Sequence, residues 1–155
     1  MRNPPSAGNS PQGSLLQWTP GALTATGTSS TFVLTANDFN NIVVGLSCAS
    51  VSGTSPTFDL YLQTLGPDGN WYDCYHWAQQ TANTTANTQL FANISNGDGA
   101  STAIGSVGNK TVGANALGVP LLSTAVRFAY TITGTTPSIT PTVNVYAPGA
   151  DRGGF

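Results

Sequence analysis

Charge is what this sequence lacks most. Only 6% of its 155 residues are Asp, Glu, Lys or Arg, against about 25% in an average soluble domain. Glu is absent altogether, and the Lys and Arg residues are Lys110, Arg2, Arg127 and Arg152. Helices are therefore disfavoured. Glu, Lys and Arg are the usual solvent-side helix formers, and the Gly, Thr and Asn that stand in for them here are poor ones. Nucleic acid is an unsuitable partner, because the net charge is -2 and no basic cluster exists to neutralise phosphates. A weakly charged surface gives little repulsion between like copies, which suits dense packing. Secreted adhesive modules share that composition.

Long apolar runs are missing too. None approaches the ~18 residues of a membrane span, so no membrane partner is expected. Met1-Arg2-Asn3-Pro4-Pro5 lacks the apolar stretch of an export signal. Cysteine is limited to Cys48 and Cys74, too few for a disulfide scaffold. They read as reduced core residues, with a single bridge between them left open. His76 is the only histidine, so no metal and no cofactor are expected. The length suits one domain with a real hydrophobic core.

What is present is strand and turn. Ile42, Val44, Leu46 and Cys48 alternate with Val43, Gly45, Ser47 and Ala49. Phe58, Leu60 and Leu62 alternate with Asp59, Tyr61 and Gln63, and Val126, Phe128, Tyr130 and Ile132 with Arg127, Ala129 and Thr131. A period of two with one apolar face marks half-buried strands. Further strands are predicted at 31–35, 71–77, 89–94 and 139–145; in the last, Pro141 implies an edge strand or a bulge. Pro67-Asp68-Gly69-Asn70 is a turn, because Pro presets φ and Gly accepts a positive one.

The segment from Val51 to Phe58 (Val-Ser-Gly-Thr-Ser-Pro-Thr-Phe) is echoed in character from Ile132 to Ile139 (Ile-Thr-Gly-Thr-Thr-Pro-Ser-Ile). Each copy reads as a hairpin turn between two strands. Two such hairpins facing each other predict an all-β fold, an antiparallel β-sandwich or jelly roll. The domain is expected to span 18–147, with long loops at 78–88 and 95–120. An extended N-terminal arm at 1–17 precedes it and a C-terminal tail at 148–155 follows. The arm contains Pro4, Pro5 and Pro11 and is too polar to gain much by packing on itself. Folding back on its own domain and capture by a neighbouring subunit both stay open. The candidate partner-binding residues are Pro4, Pro5, Leu15, Leu16 and Trp18 in and beside the arm, and Trp77.

The densest run of chemically capable side chains is Trp71-Tyr72-Asp73-Cys74-Tyr75-His76-Trp77. Strict alternation puts Trp71, Asp73, Tyr75 and Trp77 on one face and Tyr72, Cys74 and His76 on the other. An exposed aromatic row would stack on sugar rings; the plainer reading makes one face core and the other an interface. Cys74 and His76 would share a face but stand about 7 Å apart, so a Cys–His nucleophile is not expected. The Asp residues are dispersed and suggest no catalytic pair. Asp98 lacks EF-hand spacing and reads as part of a Gly-rich turn. Glycosylation-like triplets at Asn83, Asn93 and Asn109 are expected by chance in a chain this rich in Asn and Thr. Arg127, set inside a strong strand, is expected to pair with an Asp across the sheet or to reach a partner subunit. No catalytic residue is assigned.

The stretches Ser52 to Phe58, Gly66 to Trp71, and Val126 to Ser138 together resemble small bacteriophage virion structural proteins of the capsid-decoration or head-auxiliary type. The resemblance covers residues 41–77 and 124–147 and rests on turn-and-strand patterns. It implies a non-enzymatic virion protein that binds and stabilises the phage head. Such a protein would sit on the capsid surface after assembly in the host cytoplasm. Its implied partners are the major capsid protein and neighbouring copies of itself, in a trimer or other ring. The alternatives are a carbohydrate-binding or adhesive module, or a phage tail or neck component.

Overall fold

The computed structural model describes residues 14–34, 42–83, 90–94, 113–114, 116–118 and 122–146. Its strands are β1 (Ser14–Trp18), β2 (Gly27–Thr28), β3 (Phe32–Val33), β4 (Ile42–Leu65), β5 (Trp71–His76), β6 (Leu90–Ile94), β7 (Ala116–Leu117) and β8 (Ala125–Tyr146). All of them pair antiparallel within one strongly curled sheet, a half-barrel, and no helix occurs among the described residues. The all-β expectation holds. Two separate facing sheets are not present among these strands.

The spine is the pairing of β4 with β8, which runs from Val43 opposite Tyr146 to Thr64 opposite Val126. Each end of this ribbon carries its own flanking strands. At one end β6 lies beside β4 and β1 beside β8. At the other, β5 and then β7 extend from β4, while β2 and β3 line β8.

The two echoed segments do not make hairpins. Each continues as strand, and they pair with each other: Ser52 faces Ser138, Thr54 faces Thr135 and Thr57 faces Thr133. The pairing has a local two-fold, since Val51 opposite Ile139 is repeated as Phe58 opposite Ile132. The reason lies in the backbone. A two-residue hairpin of the tightest kind needs positive φ at adjacent residues. Here positive φ falls on Gly53 (119°) and Ser55 (49°), and again on Gly134 (114°) and Thr136 (49°), with a Thr between each pair. The outcome is a shift of register on either side of Thr54, one bulge in each strand, in place of a chain reversal. The close approach demands glycine. A Cβ on Gly53 would stand 2.9 Å from the carbonyl oxygens of Thr135 and Thr136, and one on Gly134 would stand 2.9 Å from those of Thr54 and Ser55.

The curl brings both ends of the ribbon onto one core. Ile42, Val44, Leu46, Ile139, Val143 and Val145 come from one end, and Phe58, Leu60, Leu62, Val126 and Phe128 from the other. Each such side chain stabilises the fold by about 1.5–3 kcal/mol when fully buried. Trp18 in β1 bridges the two groups, its ring stacked on Phe128 at 4.9 Å. Pro141 faces Cys48 at a register shift in β4; on its other side the paired residues are Val143, opposite Trp18, and Ile139, opposite Leu23. Pro141 thus sits beside a bulge, and the shift accommodates a residue with no N–H to donate.

Ser14–Trp18, at the junction expected between arm and domain, pairs with the end of β8. Its Leu16 and Trp18 gain enough burial against the core to order the chain there. Residues 1–13, most of the predicted 95–120 loop and the 148–155 tail lie outside the described residues, as do residues 84–89. Within the predicted 95–120 loop, Ala116–Leu117 forms β7 against β5. In the 78–88 loop, Gln80 bridges to Phe58.

The Gly53→Ala and Gly134→Ala substitutions are expected to destabilise the fold alike, each by about 2 kcal/mol or more, because both place a Cβ at a backbone conformation and a contact that exclude it. Urea unfolding of both single variants and the double variant checks this. Since the two sites share one crossing, the double cost should fall short of the sum; strict additivity would separate them.

Candidate functional site

The β4–β5 connection sets the start of β5. Gly66 N–H donates to Asn70 O at 2.7 Å and Gly69 N–H to Gly66 O at 3.0 Å. Asp68 accepts from the Asn70 backbone N–H at 3.1 Å, from Asn70 Nδ2 at 2.9 Å and from the Tyr72 hydroxyl. The Tyr72 bond first, then those from Asn70, hold the Asp68 carboxyl down to about 2.

Along β5 the strict alternation fails at one residue. Tyr61 and Leu62 face His76 and Tyr75, but Gln63, Thr64 and Leu65 face Asp73, Tyr72 and Trp71. Cys74 is the extra residue, a bulge that exchanges the faces of everything beyond it. The aromatic row is therefore split. Trp71 and Asp73 stay on the outer face, while Tyr75 and Trp77 enter the core with their rings edge to face at 5.1 Å. Trp77, a candidate partner-binding residue, is wholly buried in the core of the single chain. Trp18, another candidate, is 8% exposed and belongs to the same core. Leu16 is partly buried against the core, Leu15 lies in β1, and Pro4 and Pro5 lie outside the described residues.

The same bulge separates Cys74 from His76. Cys74 belongs to the core cluster, whereas His76 stacks on Tyr61 outside it. Burial pushes the Cys74 thiol far above its ordinary value. Cys48 is equally buried, and neither cysteine is bridged.

The outer face of β4, β5 and β8 carries two polar networks. In the first, Arg127 Nε donates to Gln63 Oε1 at 2.8 Å, and Gln63 Nε2 donates to Asp73 Oδ1 at 2.7 Å. The Arg127 guanidinium lies over the Trp71 ring, 4.4 Å from its centroid. Gln63 and Asp73 are almost fully buried. An unmet buried amide costs about 1–3 kcal/mol, and here both ends of the Gln63 amide are met. Arg127 is thus not paired directly with an Asp among the described residues; it is linked to Asp73 through the Gln63 amide. Burial pulls the guanidinium below its ordinary value while the charge of Asp73 opposes that; it stays cationic.

In the second network, His76 and Tyr61 stack at 4.0 Å with planes 12° apart. His76 Nε2 lies 3.4 Å from Asp59 Oδ1, and Gln79 Nε2 donates to Asp59 Oδ2 at 2.7 Å. Burial first, then the charges of Asp59 and Asp73, push the Tyr61 hydroxyl up to about 12.

The thiol and the phenol nearest the networks are both held protonated, and among the described residues no three His, Cys, Asp or Glu side chains group as a metal site does. What the outer face offers is a cation fixed flat on a half-buried indole. The outward alternation of Asp59, Tyr61 and Gln63 was readable as a polar face; the partnership of Gln63 with Asp73 depended on the bulge and was not. Compared with known proteins, the chain matches no family model, no curated protein and no solved structure.

Asp68 stabilises the fold at pH values above the ordinary carboxyl range near 4, and that contribution is lost as the pH falls through about 2. Tyr72→Phe removes the largest cause. The Asp68 carboxyl titration, followed by NMR, should then move up towards 4; an unmoved midpoint would show that the turn backbone alone sets it. The two thiols should resist a disulfide reagent in the native state and react fully in denaturant. Rapid labelling of native protein would contradict their burial.

Proposed function

We propose that this chain is a non-enzymatic virion structural protein, a capsid decoration or auxiliary protein that binds and stabilises a phage head. The observation that carries the reading is where the resembling segments fall. Residues 52–58 and 126–138 belong to β4 and β8, and residues 66–71 form the turn that leads into β5. The likeness to virion proteins therefore runs through the spine on which every other strand is hung. The scarcity of charge supports close packing of many copies. The two ends of the curled sheet share one core, and we read that packing as the sandwich-type architecture such modules use. The partners in this reading are the major capsid protein and neighbouring copies in a trimer or other ring, with the chain on the capsid surface and neither nucleic acid nor membrane involved. The carbohydrate-binding alternative loses its aromatic platform, since Tyr75 and Trp77 face the core.

Quantitative mass spectrometry of purified virions tests the proposal. The chain should be present in a fixed ratio comparable to that of the major capsid protein. A few copies per particle would move it to the tail or neck, and absence from virions would refute the reading. Removing residues 1–13, which spares β1, should weaken particle binding while leaving the thermal transition of the isolated protein unchanged.

A further inference from the structure

Arg127 is the only Lys or Arg among the described residues, and its surroundings restrict it on two sides. Its Nε is held by Gln63 Oε1 at 2.8 Å, and Gln63 is itself fixed by Asp73 at 2.7 Å. One face of the guanidinium lies on Trp71. Among the described residues, Nη1 and Nη2 make no hydrogen bond, and the side chain is only partly buried. A long, flexible cation is thus oriented before anything binds it, by an amide and a carboxylate that are almost wholly buried on the face of the sheet opposite the core.

We propose that Arg127 and Trp71 form a recognition site for a single carboxylate, supplied by an Asp, a Glu or a chain terminus of a protein partner. The Nη pair, without a hydrogen bond among the described residues, matches the two oxygens of a carboxylate in spacing and plane. Gln63 and Trp71 have already restricted the rotamers that binding would otherwise have to order, so less entropy is lost on docking. Arg and Trp together are the side chains that anchor protein interfaces. The charge balance selects a monoanion. A phosphate dianion would set two negative charges against one cation with Asp73 only an amide away, and no second Lys or Arg stands near among the described residues. The site is independent of the identity of the assembly; that its carboxylate comes from a capsid protein or a neighbouring copy rests on the reading above.

Acetate is the direct probe, with chloride at matched ionic strength as reference and inorganic phosphate as competitor. The Arg127 Nε–H and Trp71 indole N–H resonances should shift saturably with acetate and not with chloride. Arg127→Lys keeps the charge but loses the planar fork, so the saturable Trp71 shift should disappear while the backbone amide spectrum keeps the dispersion of the folded parent. A linear shift shared with chloride, an unchanged acetate response in Arg127→Lys, or tighter binding of phosphate would each overturn the site. The second arm compares parent and Arg127→Lys on particles lacking the protein, where about a tenfold loss of affinity is expected. A parent protein that fails to bind particles counts against the assembly reading alone, and acetate then decides the site. Equal particle binding by both proteins, with acetate recognition intact, confines the site to a different partner.

Discussion

Every strand of this sheet depends on the pairing of β4 with β8, and that pairing depends on two close backbone approaches. Gly53 meets the carbonyls of Thr135 and Thr136, and Gly134 meets those of Thr54 and Ser55. The local two-fold means that neither contact forms without its counterpart. On both sides of it the ribbon presents apolar residues to the same core. The bulges let two long strands curl together, where straight ones would form a flatter ribbon. The exposed stretch around the crossing, from Ser52 to Ser55 and from Thr133 to Thr136, carries hydroxyl groups and no charge.

A second bulge, at Cys74, divides the chemistry of the molecule between its faces. It sends Tyr75 and Trp77 inward and leaves Asp73 and His76 outside. Were Cys74 paired with Gln63 in a regular register, Asp73 would oppose Thr64 instead, and the Gln63 amide that holds Arg127 would lose its acceptor. The outer-face networks and the aromatic core therefore have one cause. Their stability is coupled, because a slip of one residue in β5 would bury the polar set and expose the apolar one.

Much of this was legible in the sequence, and the parts that were not share a physical reason. The alternation in residues 42–48, 58–63 and 126–132 gave the core face correctly, since burial enforces a period of two. The Pro67-Asp68-Gly69-Asn70 turn was also readable, because its signal is local. The echoed Gly-Thr-(Ser/Thr)-Pro segments were recognised as equivalent but assigned to hairpins. Their true role is to pair with each other across the whole sequence, and local turn chemistry does not reveal a distant partner. The same holds for the β5 face: nothing in Trp71 to Trp77 marks Cys74 as the extra residue until Leu62 and Gln63 are placed opposite. A direct pairing of Arg127 with an Asp was expected; its acceptor is Gln63 instead, which the sequence did not mark, since Gln on a polar strand face is ordinary.

The position of β8 in the chain has a consequence for how the protein is made. Its residues are synthesised last among the described ones, yet they supply the partner for β1, β2, β3 and most of β4. Gln17 and Asn144, joined by a side-chain hydrogen bond at 3.0 Å, are 127 residues apart. Pairing at such separations carries a large loop-closure cost before any contact repays it, and sheets of this kind fold slowly. At roughly 5–20 residues per second, the nascent chain waits for seconds with β4 lacking its β8 partner. The scarcity of charge that suits dense packing in the finished protein offers little protection in that interval. Chaperone attention during synthesis is thus a cost built into the strand order itself.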